Sequence, residues 1–246
     1  MEKEDVEQTL THYGLDDNLE ENWQAFSVPW AQLVQRMANQ IGRGHIATGS
    51  SVTRISRDGP RWIVWTGREQ YRCKQVILAI PNRTIRRFFP TYVRIPDQPF
   101  LRTYVQFDQA SSRIMAAHIH GTTRMSNELQ KIIPMSKERG IYMIAYSDNA
   151  NALRGKQFTR SDILECLRQE FSIHQPLRIL RLKHYFWDVG THYYEPLSSD
   201  FPSRAEFLRY ARHPEPGLYV IGESVSLNQG WVEGAFESVW ESLKNI

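Results

Sequence analysis

One stretch near the end of the chain constrains the possible folds more than any other. Residues 217–238 read GLYVIGESVSLNQGWVEGAFES. A short apolar run is followed by a Gly-Glu pair, a polar loop, and a segment with apolar residues at helical spacing. This pattern predicts a buried strand at 218–221 and a helix from about Val232 to Leu243. The chain is therefore expected to close with a strand-turn-helix unit, which is a building block of α/β folds.

Two glycines, Gly230 and Gly234, flank the start of this predicted helix. Small residues there let a ligand approach the backbone, and the unpaired N–H groups with the helix dipole favour an anion. Glycines before and inside a first turn also serve simply to let a loop pack closely against a helix. The residues alone leave both explanations open.

The first ninety residues predict one helix followed by strands. Apolar residues at helical spacing over 30–41, after Pro29, predict the helix. Residues 51–56 and 62–66 predict strands separated by a turn. The continuous apolar run at 75–81 predicts a strand buried on both faces of a sheet.

The middle of the chain is richer in predicted strands. These are 102–107, 132–134, 141–146 and 178–187, with helices at 161–171 and 202–212, a loop at 148–157 and a turn at 188–190. Ser203 and Glu206 have the spacing of a capping box. The order of elements predicts a mixed α/β and α+β fold in two lobes, one formed by residues 1–90 and 205–246 and the other by residues 91–204.

Composition excludes several classes of protein. With 246 residues, 41% hydrophobic and 23% charged, the chain has ordinary globular composition, and a net charge of +3 is too small to indicate a nucleic-acid partner. Two cysteines, Cys73 and Cys166, exclude a disulfide framework and suit a reducing compartment. Residues 1–25 are polar and predict a short helix or an arm. No stretch of the sequence predicts a signal peptide or a membrane span, so we expect a cytoplasmic protein.

The segment 217–238 resembles the C-terminal flavin-binding signature of the FAD-dependent amine oxidase family, in its L-amino acid oxidase-like branch. The matching residues are Gly222-Glu223 and the run Gly230-Trp231-Val232-Glu233-Gly234-Ala235. The resemblance implies that Gly222 and Glu223 lie beside the FAD diphosphate and ribityl chain. It also implies that the N–H of Val232 faces the pyrimidine edge of the flavin, and that Trp231 presents its ring to the substrate amine.

Further segments agree with the same family in the expected order. Residues 51–55, followed by 76–81, resemble its adenine-side strands, which implies that the backbone of Val52 contacts the adenine. Residues 124–148 are similar to its substrate lobe. Arg102 falls where many members place a lysine that holds a water against the flavin, but arginine cannot act as a base at neutral pH. A surface salt bridge is the alternative role for Arg102.

Residues 187–194, WDVGTHYY, resemble an aromatic turn near the substrate cavity of the family. By this resemblance Trp187, Tyr193 or Tyr194 completes an aromatic cage with Trp231, and core packing is the alternative for each. His118 and His120 are two residues apart, which would place both on one face of a strand. Without a third ligand nearby, a polar strand face is the better interpretation, and no metal site is predicted.

One departure from the family pattern is informative. Members begin with a G-x-G-x-x-G strand-turn-helix that holds the FAD diphosphate, whereas here the nearest candidate, Gly42-Arg43-Gly44, follows a predicted helix and lacks the third glycine. The resemblance therefore covers the C-terminal half of the family. It implies a partial, Rossmann-like FAD-binding lobe that a second polypeptide carrying the G-x-G-x-x-G half completes, together with a strand-rich substrate lobe.

The resemblance implies oxidation of the C–N bond of a small amine or amino acid, by hydride transfer to the flavin, imine hydrolysis and release of H2O2. The leading hypothesis is one subunit of a heteromeric oxidase, whose strand at 76–80 and last helix present apolar surface to the partner. The alternative is a non-catalytic regulatory or scaffold protein that keeps the oxidase fold. The glycines at 222, 230 and 234 favour the oxidase, because a scaffold has no need of them at a flavin.

Overall fold

The computed structural model describes residues 4–8, 10 and 28–244. Residues 6–8 and 10 are helical, and most of the predicted N-terminal arm or helix lies outside the described residues. The chain forms two units, which we call the flanking unit (Met1–Arg94 with Tyr194–Ile246) and the central unit (Ile95–Tyr193). The sheets and helices of the two units confirm the predicted mixed fold class. Assignment of the units as flavin and substrate lobes stays a prediction.

The flanking unit contains two small sheets. Strands β1 (Val52–Asp58), β2 (Arg61–Thr66) and β3 (Gln70–Cys73) form an antiparallel meander, and β4 (Val76–Leu78) pairs in parallel with β10 (Leu218–Val220). Trp62 of β2 is buried and donates its indole N–H to the carbonyl oxygen of Pro216 at 3.3 Å. The meander is thereby attached to the chain just before β10.

The expectation that the strand at 75–81 is buried on both faces is wrong for this chain. Strand β4 is three residues long, and Val76 and Leu78 are buried while Ile77 between them is 49% exposed. Within the described part of the chain, β4 pairs with β10 in a two-stranded sheet, and the alternation of buried and exposed residues shows that one face of β4 is covered. Parallel strands usually have both faces covered, and the face that carries Ile77 is not.

The helices of the flanking unit largely follow the predicted pattern. They are α1 (Trp30–Ile41), α2 (Asn82–Phe88), α6 (Arg204–Arg212) and α7 (Val232–Leu243), with 3-10 turns at Arg43–His45 and Glu223–Val225. Helix α1 buries none of its residues, although its apolar residues lie on one face. Half of the predicted capping box is present, because the Ser203 hydroxyl accepts the Glu206 N–H at 3.2 Å while the Glu206 carboxylate pairs with Arg209 instead.

The central unit is one antiparallel sheet with helices on one face. Its strands, in the order β6-β7-β8-β5-β9, are β6 (Thr123–Arg124), β7 (Lys131–Ser136), β8 (Ile141–Asp148), β5 (Asp97–Phe107) and β9 (Ile179–His192). Its helices are α3 (Gln109–His118), α4 (Asn149–Gly155) and α5 (Arg160–Phe171). Val105, Met115 and Leu167 belong to one buried cluster. This cluster joins β5 to helices α3 and α5 and forms the core of the unit.

Three local predictions in the central unit are wrong. The predicted loop at 148–157 contains helix α4, whose Gly155 packs so closely on β5 that a methyl group there would lie 2.8 Å from Leu101 Cδ2. The predicted turn at 188–190 is part of β9, because the ring of Phe100 covers Gly190 and the strand pairing continues to His192. His118 ends helix α3 and does not share a strand face with His120.

None of the described helices is long and apolar enough to cross a membrane. Within residues 4–8, 10 and 28–244, no three His, Cys, Asp or Glu side chains are grouped so that they could hold a metal ion.

Candidate flavin and substrate sites

The loop between β10 and α7, residues 222–230, is the first candidate site. Gly222 has φ +124, a backbone conformation that side chains with a Cβ disfavour. A methyl group at Gly222 would have no described atom within 4 Å, so the backbone borders open space there. The Gly222 N–H is already used, since it donates to Ser238 Oγ of α7 at 2.8 Å. A ligand can therefore lie against Gly222 but does not receive its N–H.

Buried polar contacts hold the 222–230 loop in place. The hydroxyl of Tyr194 lies 3.0 and 2.8 Å from the carbonyl oxygens of Ser224 and Ser226, and burial raises the pKa of Tyr194 far above its ordinary value. Arg212 of α6 donates its Nε to the Val225 carbonyl at 2.7 Å. Gly230 donates its N–H to the Glu223 carboxylate at 2.9 Å. Each bond of this kind stabilises the loop by about 1 kcal/mol, so the loop has a defined shape without a ligand.

Glu237 of α7 joins the loop to two helices. Its carboxylate accepts hydrogen bonds from Ser226 Oγ at 2.9 Å and Asn228 Nδ2 at 3.1 Å, and it pairs with Arg212 at 3.3 Å. These contacts give the Glu237 carboxylate three partners, one on α6 and two in the loop. Together with Ser238, Glu237 makes α7 the support on which the loop rests.

Helix α7 has an unusual distribution of residues over its surface. Its buried side consists of the small residues Gly234, Ser238 and Ser242 at four-residue spacing. Its large apolar residues, including Phe236 and Trp240, are 62% and 67% exposed. Helices of globular proteins normally bury their large apolar residues. The exposed side of α7 is therefore an apolar surface patch that is unfavourably exposed to water.

Gly234 supports the packing explanation for the second glycine. A methyl group there would lie 2.0 Å from the Asn228 carbonyl oxygen and 2.9 Å from Ser226 Oγ. Only glycine therefore lets the 222–230 loop pass so close to α7. Gly230 differs, because it adopts φ +82 and is required by the backbone conformation of the loop.

The start of α7 presents backbone donors at the surface. Trp231 is the N-cap residue and no side chain caps the helix. The side chains of Trp231 and Val232 are both exposed. The helix dipole and the first-turn N–H groups favour a negatively charged or hydrogen-bond-accepting group here. Gly222, Glu223, Gly230, Trp231 and Val232 are thus brought together on one loop and helix start, with the open space at Gly222 as a cradle.

Val52 lies apart from this loop. It begins β1 on the three-stranded meander, pairs with Thr66 of β2 and is exposed. The next position of the strand carries a register irregularity, which leaves the pairing incomplete at this end of β1. Its backbone is accessible, which is the condition for a contact with a ligand.

Arg102 of β5 is the centre of a second candidate site, in the central unit. It is only 8% exposed, so the alternative of a surface salt bridge is wrong. Its Nη1 donates to the carbonyl oxygens of Leu101 at 2.9 Å and Ser147 at 3.2 Å, and to Asp148 Oδ1 at 3.2 Å. Burial raises the pKa of Asp148, and the neighbouring Arg102 opposes this rise without cancelling it. The two side chains form a hydrogen-bonded ion pair in which Arg102 is buried and Asp148 is 31% exposed.

Aromatic rings surround Arg102 on its face of the sheet. Its Cζ lies 3.2 Å from the ring centre of Tyr146 and 4.5 Å from that of Phe100. Tyr185 and Trp187 on β9 stack with ring centres 6.2 Å apart, and both are exposed. Alternate residues of a strand share a face, so the register of β5 with β8 and β9 groups these rings with Arg102.

The remaining predicted aromatic residues are placed differently. Tyr193 is half-buried at the end of the central unit, and its N–H donates to the Pro96 carbonyl oxygen at 3.1 Å. Tyr194 is buried in the flanking unit beneath the 222–230 loop, so core packing is its role. Trp187 and Trp231 belong to different units, and the aromatic cage that would join them stays a prediction.

Burial raises the pKa of both thiols, Cys73 and Cys166, which keeps them protonated.

Sequence reasoning missed the residues that support the 222–230 loop, which are Tyr194, Arg212, Glu237 and Ser238. A signal for one of them, Ser238, was present. The residues Gly234, Ser238 and Ser242 recur every fourth position opposite the apolar side of α7, and this pattern indicates a side packed against polar backbone. Tyr194 and Arg212 had no such signal, because their contacts are made with residues far along the chain.

Comparisons with known proteins agree with the resemblance seen in the sequence. The family described as flavin containing amine oxidoreductase matches residues 4–241. An uncharacterized protein, R188, of Acanthamoeba polyphaga mimivirus is 23% identical over 198 residues, which are 68% of this chain and 38% of that protein. Cyclohexylamine oxidase from Brevibacterium oxydans has a similar structure, with a TM-score of 0.65 and 16% identity over 87% of this chain. A cofactor-binding redesign of putrescine oxidase aligns with a TM-score of 0.59 and 16% identity over the same share.

The chain spans only part of each of these proteins. It covers 51% of the cyclohexylamine oxidase chain and 51% of the putrescine oxidase chain. At these identities the structural neighbours establish the fold.

Proposed function

Because the chain belongs to the flavin containing amine oxidoreductase family, we propose that it is one subunit of a heteromeric FAD-dependent amine or L-amino acid oxidase. FAD is the cofactor of this family. The observation that carries the proposal is the 222–230 loop, which is held rigidly beside open space and ends at an uncapped helix start. The cytoplasmic location expected from the sequence is part of the same proposal.

The residues of the 222–230 loop fit the flavin. The open space beside Gly222 would take the phosphate or ribityl groups. At the start of α7, the N–H of Val232 would donate to the pyrimidine edge of a flavin and stabilise negative charge that develops there. Glu223 acts indirectly, because its carboxylate fixes Gly230 by the hydrogen bond at 2.9 Å. Val52 would supply a backbone contact to the adenine.

FAD, when bound, supplies the two-electron oxidation of a C–N bond, and the chain supplies binding and orientation. The exposed ring of Trp231 would face the substrate amine. Within the central unit, Trp187 and Tyr193 would offer aromatic surface to the apolar part of a substrate. Arg102 would contribute charge and hydrogen bonds to the site, because a guanidinium is not a base in this chemistry. The product imine then hydrolyses in water to a carbonyl compound, and dioxygen is the final electron acceptor, giving H2O2.

A second polypeptide that carries the G-x-G-x-x-G segment is the proposed partner. Three exposed apolar surfaces support a large complementary partner, namely Ile77 of β4, the outer side of α7, and helix α1. Burial of such surface contributes about 25 cal/mol per Å², so a folded state with these surfaces covered is strongly favoured. The two-stranded parallel sheet of β4 and β10 also has strand edges to which further strands can add.

Co-expression with candidate partners tests the proposal. The expected result is a complex with the absorbance spectrum of bound flavin and peroxide release from at least one compound in a panel of amines and amino acids. A chain that is monomeric, yellow and active by itself contradicts the split enzyme. A complex that binds no flavin and releases no peroxide favours the regulatory or scaffold alternative.

Val232→Pro tests the role of the helix start within that complex. Proline is tolerated at the first position of a helix, and the extended backbone of Trp231 (φ −114, ψ 150) accepts a following proline. The variant should fold but bind flavin about tenfold more weakly or worse, because one N–H donor is lost. Val232→Ala keeps the N–H and is the matched control. Equal flavin affinity in both variants removes Val232 from the proposed site.

A further inference from the structure

Arg102 carries a feature that its contacts within the chain do not explain. Only Nη1 of the guanidinium is paired, and Nε and Nη2 donate to no acceptor among residues 4–8, 10 and 28–244. The side chain is nevertheless only 10% exposed. Among the described residues, the fully buried polar atoms without a partner do not include Nε or Nη2 of Arg102, so these two donors reach the surface although most of the side chain is covered. One edge of the guanidinium is therefore open to an acceptor.

The guanidinium is held still by its neighbours. Three acceptors fix Nη1, and the rings of Tyr146 and Phe100 lie over Cζ at 3.2 and 4.5 Å. A guanidinium presents pairs of parallel N–H groups that match the two oxygens of a carboxylate. Since the orientation is set before binding, little conformational entropy is lost when an anion pairs with the open edge.

The charges around Arg102 favour an anion as well. Asp148 is the acidic group that contacts Arg102, and it is engaged with Nη1. Two further cations lie near the same rings, with Lys131 Nζ 4.8 Å from the Tyr146 ring centre and Lys183 Nζ 4.6 Å from that of Tyr185. The cations outnumber the carboxylate, so this part of the sheet attracts negative charge and repels a simple ammonium ion.

Exposed rings lie on the neighbouring strand, on the same face of the sheet as Arg102. Tyr185 pairs with Arg102 across the β5–β9 ladder, and Trp187 stacks on Tyr185. A ligand that combines a carboxylate with an apolar or aromatic side chain would use the cation and the rings together.

We propose that the open edge of Arg102 binds the carboxylate of the substrate, so that the substrate is an α-amino acid with an apolar side chain and not a simple amine. This inference rests on the proposed oxidase function and names its substrate class. In this role Arg102 orients the substrate, while Tyr185 and Trp187 contact its side chain.

Binding to the full chain gives the first test, and it needs neither flavin nor turnover. Benzoate is the probe, and benzyl alcohol, which has the same ring without the charge, is the control ligand. We expect calorimetry to detect benzoate binding in the wild-type chain, and Arg102→Met to weaken that binding about 10- to 100-fold, as the loss of a charge-assisted contact predicts. Arg209→Met, which removes an exposed arginine of the flanking unit, should leave it unchanged.

Kinetics of the co-expressed complex give the second test. L-phenylalanine and 2-phenylethylamine form a pair that differs only by the carboxylate. We expect kcat/KM to favour the amino acid in the wild type and to fall about 10- to 100-fold for the amino acid alone in Arg102→Met, mainly through KM. Equal losses for both compounds, or a wild type that prefers the amine, overturn the inference.

Two further variants keep the result interpretable. Arg102→Met leaves Asp148 without its partner and could fail to fold, so the double variant Arg102→Met with Asp148→Asn removes both charges together. Arg102→Lys retains the charge but offers no second N–H edge, and weaker benzoate binding is expected from it too. Benzoate binding that is absent from the wild type, or unchanged in all these variants, overturns the inference. Benzoate binding through Arg102 without peroxide release from any compound instead refutes the oxidase function.

Discussion

Gly234→Ala separates the two explanations for the glycines at the start of α7. The added methyl group would lie 2.0 Å from the Asn228 carbonyl oxygen, whereas ordinary contact begins at 3.4 Å. The loop and the helix must then separate by more than an ångström. The atom in the way is backbone, so no side-chain rotation relieves the clash. The 222–230 loop must move instead, together with the bonds that tie it to Glu237.

The cost follows from these contacts. Overpacking of this kind costs about 1–3 kcal/mol, and weakening the bonds from Ser226 and Asn228 to Glu237 adds about 1 kcal/mol. Alanine returns at most about 1 kcal/mol of helix propensity. The free energy of unfolding should fall by about 2 kcal/mol. For a chain of this size the transition temperature of the flanking unit should fall by roughly 4–8 °C.

Thermal unfolding of the full chain without flavin measures this loss, with Gly67→Ala as the matched control. A methyl group at Gly67 would have no atom within 4 Å, so the control should unfold within about 0.5 kcal/mol of the wild type. If Gly234→Ala unfolds like Gly67→Ala and loses only flavin binding, the packing argument is refuted and the glycine serves the ligand.

Three further predictions follow from named contacts. Thr159→Ala removes the hydroxyl of a complete capping box on α5. The free energy of unfolding, measured with urea, should fall by about 1 kcal/mol. An unchanged free energy of unfolding contradicts a stabilising role for the cap. Tyr194→Phe removes the hydroxyl beneath the 222–230 loop and should cost about 1–3 kcal/mol by the same measurement. Burial and the positive charge of Arg212 lower the pKa of His213 in the folded chain. The unfolded chain therefore binds a proton at this residue at a higher pH than the folded chain does. The resulting loss of stability begins as the pH falls through the ordinary pKa of histidine. His213→Gln should flatten this decline, and an unchanged slope contradicts it.

The site was predictable from sequence only where its signals are local. The Gly-Glu pair, the polar loop and the glycine-flanked helix start occupy consecutive positions, and the structure places Gly222, Glu223, Gly230, Trp231 and Val232 on one loop and helix start. Period and composition within such a window are enough to predict their grouping. The contacts that hold the loop come from Tyr194 and Arg212, which no local pattern connects to it.

The burial of Arg102 could not be predicted from the sequence. Its strand was predictable, but its burial depends on the pairing of β5 with β8 and β9, which brings Asp148 and the ring of Tyr146 against it. Pairing between distant strands leaves no periodic trace in either strand. A charged residue on a predicted strand therefore could not be assigned to the surface or to a buried ion pair before the sheet was known.

The sequence by itself determined the family, the closing strand-turn-helix and the boundaries of four of the seven named helices to within two residues, because hydrophobic period, caps and glycine turns act over a few residues. Only the tertiary structure decided that Gly234 serves loop packing, that residues 149–155 form a helix, and that the large apolar residues of α7 are exposed. Each of these depends on which distant atoms approach the residue. Close packing is a property of pairs of atoms, and no single stretch of sequence contains both partners.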